Sequence, residues 1–360
     1  MNLRHQPCIP PVLGTGDDFA LLPPTRYQGS KRRICPWIGG VLAPLDFESV
    51  LDAFGGTGSV AYMLKHLGKR VTYTDILTAN CEMAVALLEN DSTTLAPEAV
   101  DGILADIDRA RHHGFIAKTF SGIYFTDEEN RWLDGACQVI PQIPDRFERA
   151  LAWYAIFQAA VSKRPYNLFH RANLNIRTAK VERSFGNKTT WDRSFAAHVR
   201  HFVTQADSAI KPCTGSCDVR CTDVMDVAGE FDLVYIDPPY INHRGTGVDY
   251  FGFYHFLEGM LDYERWPGRI DHSSKHLRLV GERSCWTDRK RIGRAFEDLF
   301  DRFKGSQLAI SYRSDGIPSI DELQAMLRRQ NRRIRLHTDN RYRYALSTNK
   351  RSAEVLIIAE

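Results

Sequence analysis

Residues 233–240 read Leu-Val-Tyr-Ile-Asp-Pro-Pro-Tyr, a buried-strand run closed by an acid, two prolines and an aromatic. Neither Pro238 nor Pro239 can donate to a sheet ladder or continue a helix, so the backbone must leave the sheet at Asp237 in a stiff, extended turn. That turn presents a carboxylate, a free carbonyl and a flat ring together. The set suits a planar substrate with an exocyclic amine: Asp237 and the Pro238 carbonyl accept its two N–H bonds while Tyr240 stacks on its face. An unstacked nucleobase is a substrate of that kind.

A second constellation lies upstream. Phe54-Gly55-Gly56-Thr57-Gly58 follows a strand at Ser49–Ala53 and precedes an apolar helix pattern from Val60 to Leu67. Its glycines let the backbone approach a ligand closely and aim a helix N-terminus at it. Ala61 stands where the full G-x-G-x-x-G spacing of dinucleotide binders needs a glycine, so a pyrophosphate is not the best match. A nucleoside with an amino-acid tail, S-adenosylmethionine, needs the glycine approach and a ribose acid without a pyrophosphate site. Asp75, at the end of a second strand Arg70–Thr74, offers two oxygens to a ribose diol, with a helix N-cap as the lesser alternative. Asp223, after the strand end Arg220–Thr222, can accept from an adenine amine or cap a turn. In Arg26-Tyr-Gln-Gly-Ser-Lys31, Lys31 suits the cofactor carboxylate and Tyr27 its face; the same residues would serve in a surface loop.

The elements that must hold these groups are those of an α/β chain. Strand, glycine turn and helix in that order form the first βα unit of a doubly wound sheet, and the helix after Asp75 begins near Ala79. Helical spacing then runs through 100–160, with Ile103, Ile107, Phe115, Ile123, Trp132, Ile140, Phe147, Leu151 and Ile156 as candidate core positions. Residues 163–200 are basic and aromatic, and sheet chemistry returns at Asp218–Cys221 and Asp232–Ile236. After a poorly patterned stretch at 262–287, helices are expected at Asp288–Phe303 and Ile320–Arg329, strands at Gln307–Tyr312 and Glu354–Ala359, and a hairpin strand within 333–350. Residues 1–96 and 206–360 thus read as one catalytic domain, interrupted by a mainly helical, basic insert at 97–205.

Length and composition agree with such an enzyme: 360 residues, 43% hydrophobic and 25% charged. No apolar run reaches membrane-spanning length and Met1–Phe19 lacks a signal-peptide pattern, so an intracellular protein with no membrane partner is expected. The eight cysteines are expected to be reduced. Cys213, Cys217 and Cys221 lack the two-residue gaps of a zinc site and read as loop and strand thiols, with no metal. Net charge is +3, yet nine Lys/Arg face two acids in 163–200, three in 265–294 and one in 328–351. Three basic blocks in an otherwise acidic chain favour a polyanion surface. Arg183, Asn187 and Lys188 are the residues there suited to reading base edges.

The glycine motif at Phe54–Gly58 followed much later by Asp237-Pro-Pro-Tyr240, with Arg26–Lys31 ahead of both, resembles the Dam-like (alpha-group) adenine-N6 DNA methyltransferases. The likeness extends to Ser311-Tyr-Arg-Ser-Asp315 and the closing strand Ser352–Ile358, and Lys163–Phe169 and Ser184–Trp191 resemble a branch of restriction-modification methylases. The resemblance implies a Rossmann-like S-adenosylmethionine-dependent methyltransferase sheet of seven strands with the last antiparallel. It also implies site-specific methyl transfer to a flipped adenine in double-stranded DNA. Carried over by position, Tyr27 and Lys31 contact the methionine end of the cofactor, Phe54, Gly55, Gly56, Thr57 and Gly58 its backbone side, Asp75 the ribose and Asp223 the adenine. Asp237, Pro238, Pro239 and Tyr240 hold the target base, Asp237 also bordering the cofactor. A companion restriction endonuclease acting separately, a monomer or weak dimer, and a cytoplasmic, nucleoid-associated setting in a prokaryote or phage complete the expectation. The same tetrad geometry would serve cytosine-N4 or RNA adenine methylation, and the fold would also serve a catalytically silent DNA-binding module.

Overall fold

The computed structural model describes residues 22–179, 188–242, 245–281, 284–339 and 352–360. Seven strands form one sheet: β1 (Ser49–Asp52), β2 (Arg70–Asp75), β3 (Ser216–Cys221), β4 (Leu233–Ile236), β5 (Gln307–Arg313), β6 (Ile334–Asp339) and β7 (Glu354–Ala359). Their spatial order is β3-β2-β1-β4-β5-β7-β6. β3, β2, β1, β4 and β5 are mutually parallel, whereas β7 runs antiparallel to both its neighbours. The seven strands and the antiparallel last one agree with the expectation, and β7 is threaded between two strands that precede it in sequence. Every residue of β4 and β7 is buried, which is why β4 and the five residues of β7 after Glu354 read as unbroken apolar runs.

The order reverses between β1 and β4: the chain builds outward from β1 through β2 to β3, then returns to β4 and builds the other way. At such a switch point the loops after two adjacent parallel strands diverge and leave a crevice beyond their carboxyl ends. Asp52 and Tyr235 lie side by side there.

Helices α1 (Cys35–Leu42), α2 (Ser59–His66) and α3 (Thr78–Ala84) cover one face, α3 running on into a wider turn at Val85–Glu89. The same face receives α4 (Pro97–Arg109), α5 (Asp127–Val139), α6 (Arg146–Ser162) and α7 (Phe195–Ala209). One hydrophobic cluster joins Val50 and Tyr73 of the sheet to Leu151 and Phe157 of α6, so the helical segment packs into the sheet's own core. Of the expected core positions, Ile107, Trp132, Ile140, Leu151 and Ile156 are buried, and Ile103, Phe115, Ile123 and Phe147 pack against them half-buried. Helix α8 (Tyr250–Leu261) completes this side. On the opposite face α9 (Ile292–Arg302) and α10 (Ile320–Arg329) cover Leu51, Val234 and Leu308.

The basic segments correct one expectation. Lys163, Arg164 and Arg177, counted with a polyanion surface, are interior. Arg164 is 1% exposed and donates to the carbonyls of Tyr124 at 2.7 Å and Arg171 at 3.0 Å. Lys163 and Arg177 converge on Glu129 at 2.8 and 2.7 Å. The turns that link these helices point carbonyls inward, and buried carbonyls must find donors. In the C-terminal block Arg329 pairs with Glu297, Arg332 donates to the carbonyl of Ser306 at 2.7 Å and Arg335 pairs with Glu360 at 3.0 Å, all remote from the crevice. Of the expected 333–350 hairpin strand, β6 is present; 340–351 lie outside the described residues. Among the described residues no helix is long and apolar enough to cross a membrane.

Candidate active site

The glycine turn after β1 is built by close approach. The Gly55 N–H donates to the carbonyl of Thr74 at 2.9 Å, and a Cβ on Gly55 would stand 2.0 Å from the Tyr73 ring. Gly56 and Gly58 have φ of +52° and +68°, conformations that side chains resist. Gly58 then opens α2, while the Tyr73 hydroxyl ties the turn down through the Gly56 carbonyl at 2.8 Å. Thr57, Ser59 and Ser30 share a hydroxyl cluster beside it.

Asp75 faces this turn from the end of β2. Its Oδ2 accepts from the Gly56 N–H at 2.9 Å and from Asn80 Nδ2 at 3.0 Å, and its Oδ1 accepts from the Leu77 N–H at 2.8 Å. Asp75 thus folds the approach to α3, whose N-cap position is Leu77 and not Asp75, and it lines the same cavity as the glycines. Burial pushes its carboxyl above the usual range, only partly offset by these donors. Asp223 accepts from the Met225 N–H at 2.9 Å, which is a turn cap, and also lines the cavity. Tyr27 stacks on Tyr254 with centroids 4.1 Å apart, and its hydroxyl accepts from Asn80 at 3.0 Å.

At the end of β4 the tetrad is packed tightly. Pro238 is buried; Asp237, Pro239 and Tyr240 are half-buried. Lys31, 5% exposed, lies between two acids: its ammonium is 3.0 Å from Asp237 Oδ1 and 3.3 Å from Oε1 of the fully buried Glu354. The Tyr240 hydroxyl donates to the same Asp237 Oδ1 at 2.5 Å and also meets Lys31. The Lys31 expectation thus takes a different form: the lysine lines the cavity, and here its charge serves Asp237 and Glu354. Burial raises Asp237 to about 6, with Lys31 opposing and Glu354 adding to the shift. Tyr240 makes an edge contact with Tyr312 at 5.3 Å on its core side.

One cavity of about 970 Å³ runs from Tyr27 and Lys31 past Phe54–Thr57, Asp75 and Asp223 to Asp237–Tyr240; Gly58, Tyr73, Tyr254 and Glu354 support its wall from behind. The sequence reading missed three contributors. Asp52, beside Tyr235, has a buried Oδ1 with no hydrogen-bond partner, and burial followed by the Asp237 charge raises its carboxyl to about 8. An acid two residues before Phe54 at a strand end was the signal. Glu354, an acid heading a wholly apolar strand, was another. Asn80, which bridges Tyr27 and Asp75, carried none. The residues proposed to read bases lie elsewhere: Lys188 starts a short exposed helix and pairs with Asp192 at 2.7 Å, away from the cavity, and Arg183 and Asn187 fall outside the described residues. Cys217 and Cys221 sit on β3 with Cys213 in the loop before it.

A reversed sheet with its last strand antiparallel, a glycine turn after β1 and a tetrad after β4 around one cavity define a methyltransferase of the Rossmann-like class. Residues 27–265 match the D12 class N6 adenine-specific DNA methyltransferases, and the chain belongs to that family. It is similar to the type II methyltransferase M2.HphI of Haemophilus parahaemolyticus, 28% identical over 348 residues that cover 94% of this chain and 98% of that one. It also resembles the modification methylase LlaI of Lactococcus lactis subsp. lactis, 22% identical over 84% of this chain and 48% of that protein. The type II methyltransferase M.FokI of Planomicrobium okeanokoites is 31% identical over 100 residues, 27% of this chain and 14% of that protein.

Proposed function

We propose that this DNA adenine methyltransferase uses S-adenosylmethionine and acts at a defined site on an adenine turned out of duplex DNA, between the glycine turn and the Asp237 tetrad. The observation that carries the reading is the single cavity bordered by both motifs. The cavity suits the cofactor chemically: Asp52, Asp75 and Asp237 gather at the ends of three neighbouring strands, Glu354 stands behind Lys31, and Asp52 retains a buried oxygen without a partner. A ligand bearing a sulfonium and an ammonium offsets the cost of desolvating those carboxylates. Asp75 and Tyr27 hold its ribose and flank, Phe54–Gly58 approach its backbone side and Asp223 its adenine. When bound, S-adenosylmethionine supplies an electrophilic methyl group.

The adenine amine is a weak nucleophile because its lone pair is delocalised into the ring. Lys31 and Tyr240 both engage Oδ1 of Asp237, which leaves Oδ2 to accept one amine N–H while the Pro238 carbonyl accepts the other. Two such bonds favour a pyramidal nitrogen with its lone pair directed at the methyl carbon, and Asp237 as carboxylate takes up the proton released. Positioning of this kind is worth roughly 7–11 kcal/mol. Turning the base out costs a few kcal/mol, offset in part by stacking on Tyr240.

Residues 1–96 and 206–360 form the catalytic part in this reading, and 97–205 the part that selects the target, with Arg183, Asn187 and Lys188 as its readers. Relatives named as type II methyltransferases support a separately acting companion endonuclease. The test is to sequence methylated positions in DNA from cells expressing the chain and digest that DNA to nucleosides. N6-methyladenine at one recurring sequence is expected; N4-methylcytosine alone, or methylation confined to RNA, would overturn the proposal.

A further inference from the structure

We infer that the hairpin Arg269–Val280 is the element that enters the duplex during base extrusion, with the side chain of Val280 filling the space the target adenine vacates. The inference rests on the methyltransferase reading above and adds to it the group that faces the DNA.

Ile270 and Leu279 form an antiparallel bridge, closed by hydrogen bonds from the Asp271 N–H to the Arg278 carbonyl at 2.8 Å and from the Val280 N–H to the Arg269 carbonyl at 2.7 Å. Both bridge residues are buried. Successive side chains of a strand alternate in direction, so anchoring 270 and 279 in the core turns Arg269, Asp271, Arg278 and Val280 to the outward face. All four border the cavity that holds the Asp237 tetrad. Val280 is 60% exposed, a branched apolar side chain presented to solvent between charged neighbours.

The hairpin is braced. Arg278 pairs with Asp271 at 3.0 Å, Arg269 with Asp262 at 2.7 Å, and the Tyr124 hydroxyl holds the His276 carbonyl at 2.6 Å. Asp271 also folds the turn by accepting from the Ser273 N–H at 3.0 Å. These ties fix Val280 in advance, so little ordering entropy is lost when it inserts. Around it the charge suits a polyanion: Arg269 and Arg278 remain half-exposed, and exposed Arg289 borders the same cavity with no ion pair among the described residues. An extruded base leaves an unstacked gap whose exposed base faces are apolar, and an apolar wedge is the group that covers them. Among the described residues of the three basic blocks, those that border the cavity belong to this one.

The test uses the full chain and two DNA substrates bearing the site mapped as described above: a fully paired duplex, and the same duplex with an abasic residue opposite the target adenine. The second no longer has to break the target pair. Val280→Ala should lower kcat/KM roughly tenfold on the paired duplex, the effect of removing two methyl groups from an apolar contact, and change it less than about twofold on the abasic one. Val280→Ile should retain wild-type discrimination. Fluorescence of 2-aminopurine at the target position should rise on binding to wild type and rise less with Val280→Ala. Equal losses on both substrates, no loss on either, or a change confined to the S-adenosylmethionine requirement would overturn the inference. A wild-type chain that methylates no duplex adenine overturns the underlying functional reading instead, an outcome distinct from all of these.

Discussion

Lys31→Met isolates what the buried ammonium does. Asp237 stands at about 6 because burial and Glu354 push it up while Lys31, 3.0 Å away, holds it down. A group at that value is ionised about ten to one at neutral pH. Removing an opposite charge at such range shifts a carboxylate by about 1–3 units, or roughly 1.4–4 kcal/mol. In the proposed mechanism Asp237 acts as the carboxylate, so activity is lost as pH falls through its pKa, and raising that pKa moves the loss to higher pH. The variant should therefore keep between about half and about 1% of its carboxylate at neutral pH, and recover towards about pH 9. The assay is the pH profile of kcat/KM for DNA at saturating S-adenosylmethionine, whose acid limb should move up by about 1–3 units. Glu354→Gln, which removes a charge that raises Asp237, should move the limb the other way. Parallel profiles for Lys31→Met and wild type, with the loss expressed as weaker cofactor binding, would refute the reasoning and assign Lys31 to the cofactor carboxylate.

Asp237→Ala should cut methyl transfer by about 10²–10⁴-fold while DNA retention in a filter or mobility assay stays near wild type, because the carboxylate is asked to accept a proton rather than to bind phosphate. Asp75→Ala removes the acceptor of the Gly56 and Asn80 donors together with the proposed ribose partner, and should weaken S-adenosylmethionine binding by about 10–100-fold in calorimetry. An unchanged affinity there would leave Asp75 with only its turn role at Leu77. Gly55→Ala places a methyl 2.0 Å from the Tyr73 ring and should cost about 1–3 kcal/mol in denaturant unfolding, accompanied by reduced cofactor affinity.

Much of the frame is legible along the chain because its strands and helices carry clean periods. Glu354–Ala359 and Ile320–Arg329 are found at their expected bounds, and β1 and β2 differ from expectation by a residue at one end. Helix α8 showed no period: Tyr254 to Met260 are buried all round, so no polar face marks it. The position of β7 between β5 and β6 follows from packing two faces at once, which no local pattern records. At the site, Asp237–Tyr240 and Gly55–Gly58 announce themselves because their backbone chemistry is unusual. Lys31 does not: its partners Asp237 and Glu354 lie hundreds of residues onward, and its ordinary context gave no sign that it would be buried between them. Likewise the nine basic residues of 163–200 look alike in sequence, and only folding separates the interior Lys163, Arg164 and Arg177 from those left outside.

Glu354 enters the site as the first residue of β7, the strand latest in sequence, which lies between β5 and β6. The contact between Lys31 and Glu354 spans most of the chain, and contacts of such long sequence separation form late, since loop-closure entropy must be met before they contribute. Without Glu354 the Lys31 ammonium is left to Asp237 and Tyr240, and one of the charges that raise the aspartate is gone. In the proposed mechanism the Asp237 carboxylate is thus set from both ends of the chain, by Lys31 before β1 and Glu354 at the head of β7, so its tuning depends on the integrity of the whole sheet.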